Sequence, residues 1–273
     1  MHDNATAIYC FVDDYLKSSR HREDSQCEMS DAEVMLAALL AGLYFGSNYA
    51  HALSFLNTSG LCSYVLSRSR FSRRLNRLEH LLDGLFETMG DKFKQFNLDT
   101  EYVMDSYPVT LCHNMRAPNN RLLPYERKFQ GICVTKHQYF YGLRVHVIAT
   151  ADGVPVEYCI VPGSWADPHG MRALGMDMPA GSRILCDAGY TSYVAEDVAS
   201  HADIWIDAAR KSNAKRKDPP YRTYYRSVKR KRIETVFSTL TRRMGRVVHA
   251  TTIRGFILKT KLFIWCEMLS ACL

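Results

Sequence analysis

The sequence predicts an α/β fold, a mixed sheet flanked by helices over residues 99–273, preceded by an all-helical region over residues 1–98. Three observations predict it. Leucine-rich runs at helical spacing fill the first hundred residues, short β-rich runs begin at Glu101, and the order from there reads strand, strand, strand, helix, strand, helix, strand, helix. An apolar fraction of 47% in 273 residues supplies ample material for a buried core.

In the helical region, Val34, Leu36, Ala37, Leu39, Leu40 and Leu43 follow a Ser30/Asp31 start with Glu33 behind it. A second pattern runs from about Phe71 to Phe96 through Leu75, Leu78, Leu81, Leu82, Leu85 and Phe86. Between them, Ser67 to Arg74 gathers Ser and Arg near a helix start. Two readings stay open there. Freed backbone N–H groups with Arg70, Arg73 and Arg74 hold DNA phosphate, or the segment is a solvated basic face with a capping serine.

Beyond Glu101, Tyr102 to Val109 reads as a strand restricted at its far end by Pro108. Tyr139 to Thr150 and Val154 to Val161 read as a hairpin joined through Asp152-Gly153, a dipeptide suited to a tight turn. Asp167-Pro168 reads as a helix start, the Asp as N-cap and the Pro at the first helical position. Arg183 to Asp187 is a strand, Tyr193 to His201 a helix and Ile204 to Ala208 a strand. A basic loop containing Pro219-Pro220 follows, then a helix from about Arg226 to Met244 with Ile233, Val236, Phe237, Leu240 and Met244 on one stripe. A last apolar helix near Gly255 to Leu273 is expected to pack on the α/β body.

The formal net charge of +7 is unevenly placed. Arg210 to Arg246 holds 14 Lys or Arg against two acids, Asp218 and Glu234, so this segment carries +12 and the remainder −5. Such concentration favours a polyanionic partner, with Lys211, Lys215, Arg216 and Lys217 as candidate DNA contacts. Nine cysteines with no C-x-x-C pair argue against a disulfide framework or a zinc site and for a reducing, cytoplasmic setting. No basic-then-apolar secretory start is evident, and no apolar stretch is long and uninterrupted enough to cross a membrane.

Three strands as a meander followed by alternating helices and strands is the order of a ribonuclease-H-like sheet, in which the first and fourth strands lie side by side. Asp105 and Asp187, 82 residues apart, therefore meet. Carboxylates among Val, Met, Ile, Leu and Cys are costly to bury unless a cation joins them. Mg²⁺ suits hard oxygen ligands, and two ions about 3.5–4 Å apart stabilise both the attacking and the leaving oxygen of a phosphoryl displacement. Glu234 is the candidate third carboxylate, an acid alone among basic residues at the border of an apolar stripe, with Arg230 and Lys231 beside it for phosphate. Taken singly, each acid has an ordinary structural reading, and Arg230 with Glu234 is a common i,i+4 pair.

These residues resemble bacterial insertion-sequence transposases, most closely insertion-sequence family 982. The resemblance rests on Met-Asp-Ser-Tyr-Pro-Val at 104–109, Tyr-Phe-Tyr-Gly-Leu-Arg-Val-His at 139–146, Pro-Gly-Ser-Trp-Ala-Asp at 162–167, Asp-Ala-Gly-Tyr at 187–190 and Arg-Lys-Arg-Ile-Glu-Thr-Val-Phe-Ser at 230–238. Met-Ser-Asp-Ala-Glu-Val at 29–34 and Ser-Arg-Phe-Ser-Arg-Arg-Leu at 69–75 resemble the N-terminal domain of such enzymes, which implies DNA-end binding by residues 1–98. The resemblance implies that Asp105, Asp187 and Glu234 hold two Mg²⁺, with Mn²⁺ able to substitute. It implies cleavage at element ends and strand transfer into target DNA by a homo-oligomer in a bacterial, nucleoid-associated setting. Two departures stand out. Ala188 replaces a Lys common in the second motif, and Ser227 and Thr241 stand where Tyr and Lys flank the final Glu elsewhere in the superfamily.

Other groups have simpler explanations. His146, on the strand beside that of Asp105, reads as a satisfied structural histidine, and Asp167 as a helix cap rather than half of a metal pair with His169. Tyr221, Tyr224 and Tyr225, inside the basic loop, either stack on unpaired bases or anchor the loop. Besides a transposase, the residues admit a metal-dependent nuclease without strand transfer and a domesticated DNA-binding protein without catalysis.

Overall fold

The computed structural model describes residues 1–133, 138–243 and 248–273, with the side chains of Ser227, Arg230, Lys231, Arg232, Ile233, Val236, Thr239, Leu240, Arg242 and Arg243 outside that description. The chain forms two compact units, Met1–Thr88 with Arg243–Leu273, and Met89–Arg242.

The first unit is helical: α1 (His2–Ser18), α2 (Asp31–Tyr44), α3 (Tyr49–Thr58), α4 (Arg68–Arg77), the start of α5 (Glu79–Phe96) and the C-terminal helix α9 (Ile253–Ser270). α2 begins at a capping box in which Glu33 N–H donates to Ser30 Oγ at 3.1 Å and Ser30 N–H to the Glu33 carboxylate at 2.6 Å. Its Ala and Leu residues are buried nearly all round, so several helices must cover it. One is α9, and Gly42 permits the approach, since a Cβ there would meet Cys266 Sγ at 2.5 Å. The C-terminal helix thus lies with the helical unit, not on the α/β body as its position in the chain had suggested. Periodicity predicts one helix from Phe71 to Phe96, but the chain makes two, because Leu78 closes α4 on the Arg74 carbonyl while its own carbonyl accepts from Leu81 and Leu82 in α5.

The second unit holds a six-stranded sheet of β1 (Glu101–Cys112), β2 (Gln130–Cys133), β3 (Gln138–Thr150), β4 (Pro155–Pro162), β5 (Arg183–Cys186) and β6 (Trp205–Ala208). β1 and β4 pair antiparallel with β3, while β5 lies parallel to β1 and β6 parallel to β5, the ribonuclease-H-like arrangement. β2 is a four-residue strand on the start of β3 with no alternation long enough to announce it. The hairpin turn falls where Asp152-Gly153 predicts, Gly153 taking a φ of +96°.

Helices α6 (Asp167–Ala173), α7 (Tyr193–His201) and α8 (Pro220–Arg243) complete the unit. Tyr102, Met104, Ile148, Ile184, Cys186 and Ile206 on the sheet pack with Met171 and Leu174 and with Ala195 and Ala199 of α7 into one core. α8 starts six residues before the expected Arg226, because Pro220 has the φ that a first helical residue needs. Tyr221, Tyr224 and Tyr225 therefore lie on its first turns instead of in a loop.

Candidate active site

The sheet register places the first two carboxylates. Glu101 pairs with Arg183, Tyr102 with Ile184, Val103 with Leu185 and Met104 with Cys186, a constant offset that carries Asp105 onto Asp187 one step further. Neighbouring strands are about 4.8 Å apart, and residues at one register position share a face. β5 ends at Cys186, and Asp187 caps the short 3₁₀ turn Ala188–Tyr190. Each Asp accepts from the next backbone N–H, Asp105 from Ser106 at 2.7 Å and Asp187 from Ala188 at 2.8 Å. The other carboxylate oxygen of each has no hydrogen-bond partner among the described residues.

Both line a cavity of about 600 Å³ that Glu234 also reaches from α8. Ion pairs and a ring contact anchor the first half of that helix. Arg226 spans Asp207 on β6, with Nε–Oδ1 at 2.6 Å, and Asp218; Lys229 meets Glu101 at 2.7 Å; and the Arg183 guanidinium lies 5.5 Å from the Tyr225 ring centre. Glu234 follows Arg226 by about two turns.

Asp105 sits among more negative charge than positive. Burial pushes its carboxyl up to about 6, Asp167 and Asp187 push the same way, and Ser106 N–H and Arg144 oppose them. Its ordinary value is 3.8, so in the absence of a cation the folded chain keeps a proton that the unfolded chain releases. Stability from this group is present below 3.8 and is lost as pH rises through about 6. The Asp105→Asn variant, measured without divalent cation, should gain melting temperature relative to wild type between pH 5 and pH 7.5. A difference independent of pH would contradict that origin.

Asp167 is the group that sequence reasoning set aside. The N-cap of α6 is Ala166, without a side-chain cap, and Asp167 is the first helical residue. Its carboxylate accepts from Ser106 Oγ at 3.1 Å and faces Arg144 at 3.6 Å, next to Asp105. A Cβ at Gly189 would fall 2.4 Å from Asp167 Oδ2, so the glycine of Asp-Ala-Gly-Tyr leaves room for it. The sequence signal was there, an Asp before Pro, but capping explained it too easily. His146 is only half satisfied, contrary to expectation: fully buried, its Nδ1 is 2.7 Å from Tyr190 OH, but its Nε2 has no hydrogen-bond partner among the described residues, and Gly170 packs on the ring. Burial, with Arg144 adding to it, holds its pKa down at about 4.

The candidate basic residues differ in what they meet. Lys211 and Lys217 line the carboxylate cavity and make no ion pair among the described residues, and Lys215 is exposed nearby in sequence. Arg216 is exposed and pairs with Asp197 at 2.6 Å, a contact that solvent weakens. Arg70 and Arg73 are exposed on the helical unit, but Arg74 is turned inward onto Asp31 at 2.8 Å, Glu23 and the Met29 carbonyl. Arg230 and Lys231 lie outside the described side chains.

Among the described residues, no three His, Cys, Asp or Glu side chains already converge as metal ligands. The donor set still fits a hard divalent cation: all oxygen, with excess negative charge at Asp105 and, among the described residues, one oxygen without a hydrogen-bond partner on each Asp. Asp105 and Asp187 would hold it, with Glu234 completing the set. Among the described residues no helix is long and apolar enough to cross a membrane.

Residues 97–253 match the family described as Transposase DDE domain. A solved structure, the cryo-EM structure of piggyBac transposase synaptic complex with hairpin DNA (SNHP), is 10% identical, covering 98% of this chain and 71% of that chain with a TM-score of 0.46. No curated protein matches the sequence.

Proposed function

We propose that this chain, which belongs to the transposase DDE domain family, cleaves DNA at the ends of a mobile element and joins the freed 3′-hydroxyls to target DNA, with Asp105, Asp187 and Glu234 as its catalytic carboxylates. The observation that carries the reading is the register: one ladder offset sets Asp105 beside Asp187, and both open onto the cavity that Glu234 reaches.

Divalent cations, Mg²⁺ or Mn²⁺, would be held by Asp105, Asp187 and Glu234 and would supply a stabilising charge for the oxygens that attack and leave phosphorus. The chain's own residues do the rest. Lys211 and Lys217 draw the phosphodiester to the cavity mouth, with Lys215 and Arg216 extending the basic rim. Ser106 and Arg144, held by Asp167, fix the strand segment that carries Asp105, so Asp167 acts as a positioning residue. In the first step a water oxygen bonds to phosphorus as the bond to the 3′-oxygen breaks, leaving a 3′-hydroxyl and a 5′-phosphate. In the second, that 3′-hydroxyl attacks a target phosphodiester and displaces another 3′-oxygen. Joining two ends implies more than one copy of the chain on DNA.

The test is incubation of the full chain with labelled duplex bearing the element's ends, target DNA and Mg²⁺ or Mn²⁺, with products resolved by length. Joined products support the proposal. Cut products without joining would assign a nuclease, and bound DNA with neither product a binding protein of the same fold.

A further inference from the structure

The helical unit contains a second cationic cavity, separate from the Arg70/Arg73 surface and from the carboxylates. It has a volume of about 250 Å³ and is lined by Ser47, Tyr49, Arg68, His249 and Lys259 among others, none of them acidic. Its floor is the corner between α2 and α3, where Gly46 and Ser47 take φ of +55° and +62° in succession. A left-handed serine is uncommon, and the corner closes with Ser47 N–H on the Ala41 carbonyl at 2.7 Å. Ser47 is 3% exposed, yet its Oγ has no hydrogen-bond partner among the described residues.

Two cations share this space. Lys259, half-buried on α9, reaches over the Tyr49 ring at 4.9 Å and donates to the His249 carbonyl at 2.6 Å, which leaves other N–H groups of the ammonium for a ligand. Arg68 opens α4 and makes no ion pair among the described residues. Each raises the energy of the other's charge, and burial followed by Arg68 pulls the pKa of Lys259 down. Elsewhere in the unit a half-buried cation is neutralised, as Lys261 is by Glu79 and Asp83 at 2.8 Å. The start of α4 adds to the field: Ser67 stands at the N-cap without a side-chain hydrogen bond, so first-turn N–H groups lack a side-chain acceptor.

Among the described residues, two cations without an ion pair, a buried hydroxyl without a partner and a helix start without a side-chain cap come together at a lining that holds no carboxylate. We infer that Arg68, Lys259 and Ser47 bind a phosphate group, and specifically a phosphodiester of the DNA backbone. The choice of DNA over free phosphate rests on the function proposed above; the pocket itself does not. Arg68 supplies a planar pair of donors and Lys259 a point charge, complementary to tetrahedral oxyanions.

The experiment uses the full chain, wild type and the Arg68→Gln and Lys259→Gln variants. In one arm, melting temperature is followed in inorganic phosphate against chloride at matched ionic strength. Wild type should rise with phosphate, and each variant should lose most of that rise. In the other arm, affinity for a labelled duplex is measured against salt, and each variant should lower the slope by about one unit relative to wild type. Lost phosphate stabilisation with an unchanged DNA slope would uphold the pocket and assign it to free phosphate. Failure of wild type to bind DNA would refute the function proposed above while leaving the phosphate arm decisive. An equal phosphate response in all three proteins, or none in wild type, would overturn the pocket; Arg68, being exposed, serves as the variant whose folding is not at issue.

Discussion

Asp105→Asn, Asp187→Asn and Glu234→Gln should each lower DNA cleavage by about 10³-fold while duplex affinity stays within a few fold. The three substitutions keep side-chain shape and remove only charge. Asp105 and Asp187 each directly follow the last paired position of the β1/β5 ladder, so losing either leaves a single carboxylate there to organise a cation. Glu234 comes from a different element, and its loss tests whether α8 contributes chemistry or only packing. Affinity is expected to hold because the carboxylates repel phosphate, while Lys211, Lys217 and the exposed arginines attract it. The measurement is single-turnover cleavage beside equilibrium binding, on the end-bearing duplex. Cleavage at the wild-type rate in any of the three would remove that residue from the site.

The Arg226→Met variant should lose about 3–5 kcal/mol of stability in denaturant unfolding. Arg226 is 12% exposed and stands between Asp207 and Asp218, whose side chains are 8% and 7% exposed. Removing the guanidinium leaves two largely buried carboxylates without their shared cation, and that cost exceeds the net value of the intact pairs. Adding Asp207→Asn and Asp218→Asn to the variant should recover most of the loss, because the amides carry no charge to be stranded. The same arginine ties the start of α8 to β6, so the single variant should also cleave more slowly, through Glu234. Full stability in Arg226→Met would show that the triad of charges is solvated and does not anchor the helix.

Much of this was legible in the sequence because it lay in local pattern. Strand order alone set β1 beside β5, and the spacing of 82 residues between Asp105 and Asp187 proved to be the ladder offset itself. The capping box at Ser30 and the helix Tyr193–His201 were readable within a few residues of chain. What local pattern does not encode is long-range pairing. Part of the basic charge counted between Arg210 and Arg246 is answered by acids elsewhere in the fold, Arg226 by Asp207, Arg210 by Glu196 and Lys229 by Glu101, so the charge facing a polyanion is smaller than the count. Arg74 looked like a DNA contact beside Arg70 and Arg73 because its acidic partner Asp31 is 43 residues away. Asp167 was hidden for the opposite reason: its immediate neighbours offered an explanation, and its actual partner, Ser106, is 61 residues distant.

Mn²⁺ binding to the full chain at pH 7.5, followed by calorimetry with electron paramagnetic resonance, decides whether the Asp105/Asp187 pair is built for a divalent cation. Wild type should bind Mn²⁺, the Asp105→Asn/Asp187→Asn double variant should not, and Mg²⁺ should compete. Equal Mn²⁺ binding by wild type and the double variant, in a folded protein, would contradict the assignment of these carboxylates.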